Sequence, residues 1–163
     1  MIKFPYGISD FYKISNEDYL YIDRTPYLRQ LEETGPQLLF LRPRRFGKSL
    51  LLSLLENYYD LAKVEAFDSL FGKLAIGQQP TELHNTYFVM RWDFSVVEAS
   101  GDAQAIRRAL YNHINAQIQA FAVYYQPYLS LPITLNQDDA LASFASALIA
   151  VRQTNHRIYL LIG

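Results

Sequence analysis

The chain has 163 residues, half of them apolar, with 13 tyrosines and 10 phenylalanines. A fold of this size buries roughly 70% of its unfolded surface, so a core forms without covalent staples and a single domain is expected. The lack of cysteine excludes disulfides, thiolate metal sites and a cysteine nucleophile, and a formal net charge of −1 gives no global basic field for nucleic acid. No signal-peptide stretch and no apolar run near ~18 residues is present, so no membrane span is expected and the cytoplasm is the default location.

In chain order, Pro5-Tyr6-Gly7 marks a turn, and Tyr19 to Ile22 reads as a short strand. Thr25 is placed to cap a helix that begins at Pro26, runs to about Glu33 and is stopped by Gly35-Pro36. Gln37-Leu38-Leu39-Phe40-Leu41 is a continuous apolar run between turn signals, the pattern of a strand buried on both faces of a parallel sheet. Ser49 to Asp60 is predicted helical, with Leu51, Leu52, Leu54, Leu55, Tyr58 and Tyr59 forming a wide apolar stripe. Ala66 to Phe71 adds a helical turn or two before Gly72.

A second strand is predicted over Tyr87 to Phe94. From Asp102 to about Tyr125 runs a long helix with Ile106, Leu110, Ile114, Ile118 and Phe121 on one face. After a connection containing Pro127 and Pro132, Asp138 or Asp139 caps a helix to about Arg152, with Leu141, Phe144, Leu148 and Ile149 inward. Arg157 to Ile162 is the final strand. Alternation of strands and helices gives an α/β class, a parallel sheet flanked by helices.

The chemistry-bearing segment is Arg42-Pro43-Arg44-Arg45-Phe46-Gly47-Lys48-Ser49, between the apolar run and the leucine-rich helix. A phosphate loop needs a glycine, four variable residues, then Gly-Lys-Ser/Thr; here the last three match and Arg42 stands at the first glycine. Pro43 favours extended geometry at Arg42, which lets that residue continue the strand. Backbone N–H groups at a helix N-terminus and the helix dipole attract anions. Gly47 is expected where a Cβ would intrude on phosphate, Lys48 reaches the terminal phosphates, and the Ser49 hydroxyl ligates magnesium. The expected nucleotide contacts are therefore Arg44, Arg45, Phe46, Gly47, Lys48, Ser49 and Leu50, with ATP and Mg2+ as ligands and Ser49 on the metal.

These residues resemble the AAA-ATPase-like domain family, whose longer members often carry a restriction-endonuclease-like nuclease domain. Tyr21-Ile22-Asp23-Arg24-Thr25 is similar to the family's Tyr-Val-Asp-Lys-Thr element, and residues Phe40 to Leu50 resemble its arginine-rich phosphate loop, which also lacks the first glycine. Asp93-Phe94-Ser95 is a weaker match. The resemblance implies a P-loop NTPase-like sheet in which an Asp-Glu-Tyr-Asp element follows a strand like Ile158 to Ile162, and a further strand separates the phosphate-loop strand from the acidic one. Only Gly163 follows Ile162. The expectation is a fold incomplete at its C-terminus, with an unfilled gap or exposed sheet edge, that binds ATP without appreciable hydrolysis.

Other polar groups have plainer readings. Asp93 ends an internal strand, but a structural role is favoured over magnesium binding; Asp23 and Arg24 either touch nucleotide or pin the N-terminal segment. Asp138-Asp139 is a helix cap, His84, His113 and His156 lack catalytic partners at useful spacing, Arg107-Arg108 is a solvated helix face, and Trp92 with the tyrosines belongs to the core. A second functional reading places the arginine-rich loop on nucleic-acid phosphates, as part of a nuclease-fused protein. Its signature is a steep dependence of affinity on salt.

Overall fold

The computed structural model describes residues 2–43, 45–97 and 100–163. The chain divides into two compact units, Met1–Asn85 and Thr86–Gly163. No described helix is long and apolar enough to cross a membrane.

The first unit is helical. Asp10 accepts from the Lys13 N–H and so caps α1 (Phe11–Asn16); α2 (Tyr27–Thr34) and α3 (Lys48–Tyr59) follow. A 3-10 segment, Leu61–Ala66, leads into α4 (Phe67–Phe71) and the one-turn α5 (Ala75–Gln78). α1 packs on α3 and α4. Its Phe11 ring stacks on Phe71 at 4.9 Å, while its N–H donates to the buried Ser53 hydroxyl of α3 at 2.9 Å. Tyr58 of α3 meets Phe71 edge-on at 5.3 Å, and all three rings are at most 1% exposed. Aromatic side chains of this size supply most of the burial that holds short helices together.

The second unit is α/β. Strands β1 (Tyr87–Trp92) and β2 (Arg157–Ile162) pair in parallel, in register from Tyr87 opposite Arg157 to Trp92 opposite Ile162. A parallel pair needs a long crossover; here it contains α6 (Ala103–Tyr124) and α7 (Ala140–Arg152), which pack on each other. Phe88 and Met90 of β1 are buried, and the Tyr125 hydroxyl at the end of α6 accepts from the Val89 N–H at 2.9 Å. That bond satisfies a strand donor that the β1–β2 ladder leaves free. Asp102 caps α6 through the Ala105 N–H, and Asp139, not Asp138, caps α7 through the N–H groups of Leu141 and Ala142.

Four expectations are corrected. Residues 37–41 form no strand: among the described residues the sheet has two strands, and Leu39 and Leu41 are 84% and 79% exposed. Apolar side chains alone do not make a strand, since the backbone N–H and C=O groups need a neighbouring strand to pair with, and among the described residues 37–41 have none. Tyr19 to Ile22 is likewise no strand; Tyr19 makes one isolated bridge with Lys3. The second strand stops at Trp92, because the Asp93 side chain accepts from the Ser95 N–H and turns the chain into the 3-10 turn Phe94–Val96. In α7 the inward face is Ala140, Ser143, Ala147, Ala150 and Val151; of the residues expected inward, Phe144 and Leu148 are half-buried and Leu141 and Ile149 are exposed. Small side chains permit close helix approach, and four of the five buried positions carry alanine or serine, so size as well as hydrophobicity sets the face.

Candidate functional site

The loop before α3 combines three anion-attracting features. Arg45 and Gly47 both lie in the left-handed region, at φ 67° and 78°, with Phe46 between them outside it. Alternating handedness turns successive backbone N–H groups toward one concavity, the geometry of an anion nest. The left-handed Gly47 then caps α3 without a side-chain hydrogen bond. The first helical bond runs from Leu51 N–H to Gly47 C=O, so the N–H groups of Lys48, Ser49 and Leu50 precede the intrahelical ladder and face the N-terminal end. No acidic residue sits in that first turn to oppose an anion. Arg44, the first expected contact, lies outside the described residues.

Lys48 is the third feature. Its ammonium donates to the Arg42 main-chain carbonyl at 2.8 Å and arches over the loop from helix to entering chain. The Arg42 guanidinium turns away, over the Phe40 ring at 5.3 Å. Arg45, Phe46, Gly47, Lys48 and Ser49 are all exposed, and Leu50 is half-buried. The glycine requirement differs from the sequence argument: a Cβ built on Gly47 would meet nothing within 4 Å. What demands glycine in the ligand-free loop is its positive φ.

The Asp23-Arg24-Thr25 block has another role. One Asp23 carboxylate oxygen accepts from the Thr25 N–H and hydroxyl at 2.8 and 2.7 Å, and the other from the Ala75 N–H at 2.8 Å. The Thr25 hydroxyl in turn accepts from the Ile76 N–H at 3.1 Å. The pair therefore caps α5, whose own N-cap residue, Leu74, has no capping side chain. The sequence reading of Thr25 as the cap of α2 is thus corrected: its hydroxyl is engaged at α5. Burial opposes the Asp23 charge, but the donors on Ala75 and Thr25 outweigh it and hold the carboxyl below its ordinary range. Next to it burial, helped by the Asp23 charge, pushes the Tyr21 hydroxyl up to about 12. Arg24 is exposed.

Asp93 is held below the ordinary carboxylate range by the Ser95 hydroxyl and N–H, which fits its place as the cap of a turn. Among the described residues no group of three or more His, Asp or Glu could hold a metal ion. Two features were missed from sequence. The left-handed Arg45 has no signal in residue type, since arginine rarely adopts that conformation. The Ala75 partner of Asp23 and the Ile76 partner of Thr25 lie some fifty residues away, beyond local pattern reading.

The family model described as "Predicted AAA-ATPase" (AAA-ATPase-like) matches residues 5–163. A segment of 58 residues, 35% of this chain, is 47% identical to "Uncharacterized protein in vnfD 5'region" of Azotobacter chroococcum mcd 1. That segment spans 11% of the relative's length. No solved structure matches.

Proposed function

The chain belongs to the AAA-ATPase-like family, and we propose that residues 42–50 form its nucleotide-phosphate site, which takes ATP with Mg2+. The observation that carries this reading is the left-handed pair Arg45 and Gly47 leading into the N-terminus of a 12-residue helix with no acidic residue in its first turn. Backbone N–H groups from Arg45 to Leu50 would hold the phosphate oxygens, because they are donors with no intrahelical acceptor. The Lys48 ammonium, which already finds a carbonyl oxygen at 2.8 Å, has three donors and can serve a terminal phosphate as well.

A hard cation such as magnesium takes oxygen ligands and usually keeps one or two from protein, with phosphate and water supplying the rest. Ser49 offers a hydroxyl in the first turn of α3 and fits that pattern. When bound, magnesium would neutralise phosphate charge. The exposed run 37–41, the loop and α3 are read as the phosphate-binding unit of a P-loop NTPase-like fold.

Calorimetric titration with Mg-ATP, Mg-ADP and AMP tests the reading. A site built on β- and γ-phosphate contacts binds the first two at least tenfold more tightly than AMP. Equal affinity for AMP, or no binding by any of the three, overturns it. A steep salt slope with duplex DNA in place of nucleotide binding would transfer the loop to nucleic-acid phosphates.

A further inference from the structure

The two outer edges of the β1–β2 sheet are finished differently. On β1 the Tyr125 hydroxyl accepts from the Val89 N–H at 2.9 Å and donates to the Val89 carbonyl at 3.4 Å. A side chain there takes the place of a neighbouring strand. On β2 the Gly163 N–H donates inward to the Trp92 carbonyl at 2.9 Å. By the alternation of a parallel ladder, Arg157, Tyr159 and Leu161 then address β1, and the main-chain groups of Ile158, Leu160 and Ile162 point outward. Among the described residues nothing pairs with those outward groups.

Bare edges are usually blunted by a lysine, a proline or a bulge. Ile158 to Ile162 contains no charged residue and no proline, and its register with β1 runs unbroken. Leu160 and Ile162 remain 37% and 56% exposed. The helix beside this edge is α7, which packs on β2 as α6 packs on β1. It adds exposed Leu141 and Ile149 and carries no charge from Ala140 to Val151. Unpaired N–H and C=O groups in a row accept a strand, and the uncharged apolar surroundings favour one that is equally uncharged.

The strand's own copy meets both conditions. Turned antiparallel about a twofold axis at Leu160, it sets Leu160 against Leu160 and Ile158 against Ile162 of the second copy. Arg157 falls opposite Gly163, so no like charges meet. Each facing pair exchanges two hydrogen bonds, which satisfies every outward N–H and C=O group of residues 158, 160 and 162 on both strands. Tyr125 occupies the β1 edge at Val89, so the pairing closes at two copies and does not propagate. We propose that the chain forms a twofold dimer through antiparallel β2 edges, giving a four-stranded sheet in the order β1-β2-β2-β1. One strand pair with its flanking side chains is a small interface, so the dissociation constant is on the order of 10–100 μM.

Sedimentation velocity on the intact chain, from about 1 to about 500 μM, should show a monomer–dimer equilibrium without larger species. Leu160→Lys sets two charges face to face on the axis and should raise the dissociation constant at least tenfold. The register is read by cross-linking, since the chain has no cysteine of its own. Facing residues of a hydrogen-bonded antiparallel pair have Cα atoms about 5.5 Å apart, within disulfide reach. Leu160→Cys should therefore form a disulfide dimer under mild oxidation. Ile158→Cys should not, because its copies would lie four residues, or roughly 14 Å, apart along the strands. A monomer at every concentration, open-ended assembly, undiminished dimerisation of Leu160→Lys, or equally fast cross-linking through Ile158→Cys would each overturn the proposal.

Discussion

Lys48 and Arg42 are joined across the loop, the lysine ammonium donating to the arginine's main-chain carbonyl at 2.8 Å. The contact uses the Arg42 backbone, while its guanidinium lies over Phe40. Lys48→Ala is therefore expected to weaken nucleotide binding by about 1.5–3 kcal/mol, roughly ten- to a hundredfold, through loss of a charge-assisted contact. Arg42→Ala keeps the carbonyl and should matter less. Parallel titrations decide it: an equal or larger loss for Arg42→Ala means that its side chain reaches the phosphates.

Asp23 should act on stability. Asp23→Asn places an amide NH2 against the Ala75 or Thr25 donors, so a destabilisation of about 1 kcal/mol is expected, kept small by the carboxylate's access to solvent. Because its folded pKa is depressed, the wild-type contribution is present above the ordinary value of 3.8 and lost as pH falls through the folded value. Melting curves from pH 6 to pH 3 should show the gap between wild type and variant closing as acid is added. A gap that stays constant would remove the carboxylate from the account.

Gly77 in α5 is packed against backbone: an added Cβ would lie 1.9 Å from the Phe71 carbonyl oxygen. Main chain cannot rotate aside as a side-chain tip does, so Gly77→Ala should destabilise the first unit by more than about 2 kcal/mol. Chemical denaturation measures this, and a neutral result would mean that α5 sits farther from α4 than described.

A single oxygen of Glu32 accepts from the Tyr59 hydroxyl at 2.9 Å and the Thr81 hydroxyl at 2.8 Å, and the Tyr58 hydroxyl accepts from the Thr81 N–H at 2.9 Å. Thr81→Val removes one donor to Glu32 and should cost about 1–2 kcal/mol. Tyr59→Phe shares the same acceptor, so the double variant should be non-additive. Strict additivity in denaturation would show that the two hydroxyls act separately.

The elements legible in the sequence are those whose ends are fixed locally. Asp102 announced α6 and the Asp138-Asp139 pair announced α7, and the start of β2 was read as it stands because the residues before Arg157 are polar. What failed depends on partners. Residues 37–41 carry strand-like side chains but no pairing, and most of the inward face of α7 follows the space available to alanine and serine. For the candidate site, Gly47, Lys48 and Ser49 were identifiable by their place before a leucine-rich helix. The left-handed Arg45 and the use of Asp23 as a clamp on α5 were not, because backbone handedness and contacts over fifty residues leave no local pattern.

The most direct test of the central claim is the melting temperature of the chain with and without millimolar Mg-ADP, in a sample that unfolds cooperatively. A ligand at about a hundred times its dissociation constant adds about 2.7 kcal/mol, a rise of about 5–10 °C for a chain of this size. The account predicts that rise in wild type and its loss in Lys48→Ala. An unchanged melting temperature in folded wild type, or an undiminished rise in Lys48→Ala, would contradict it.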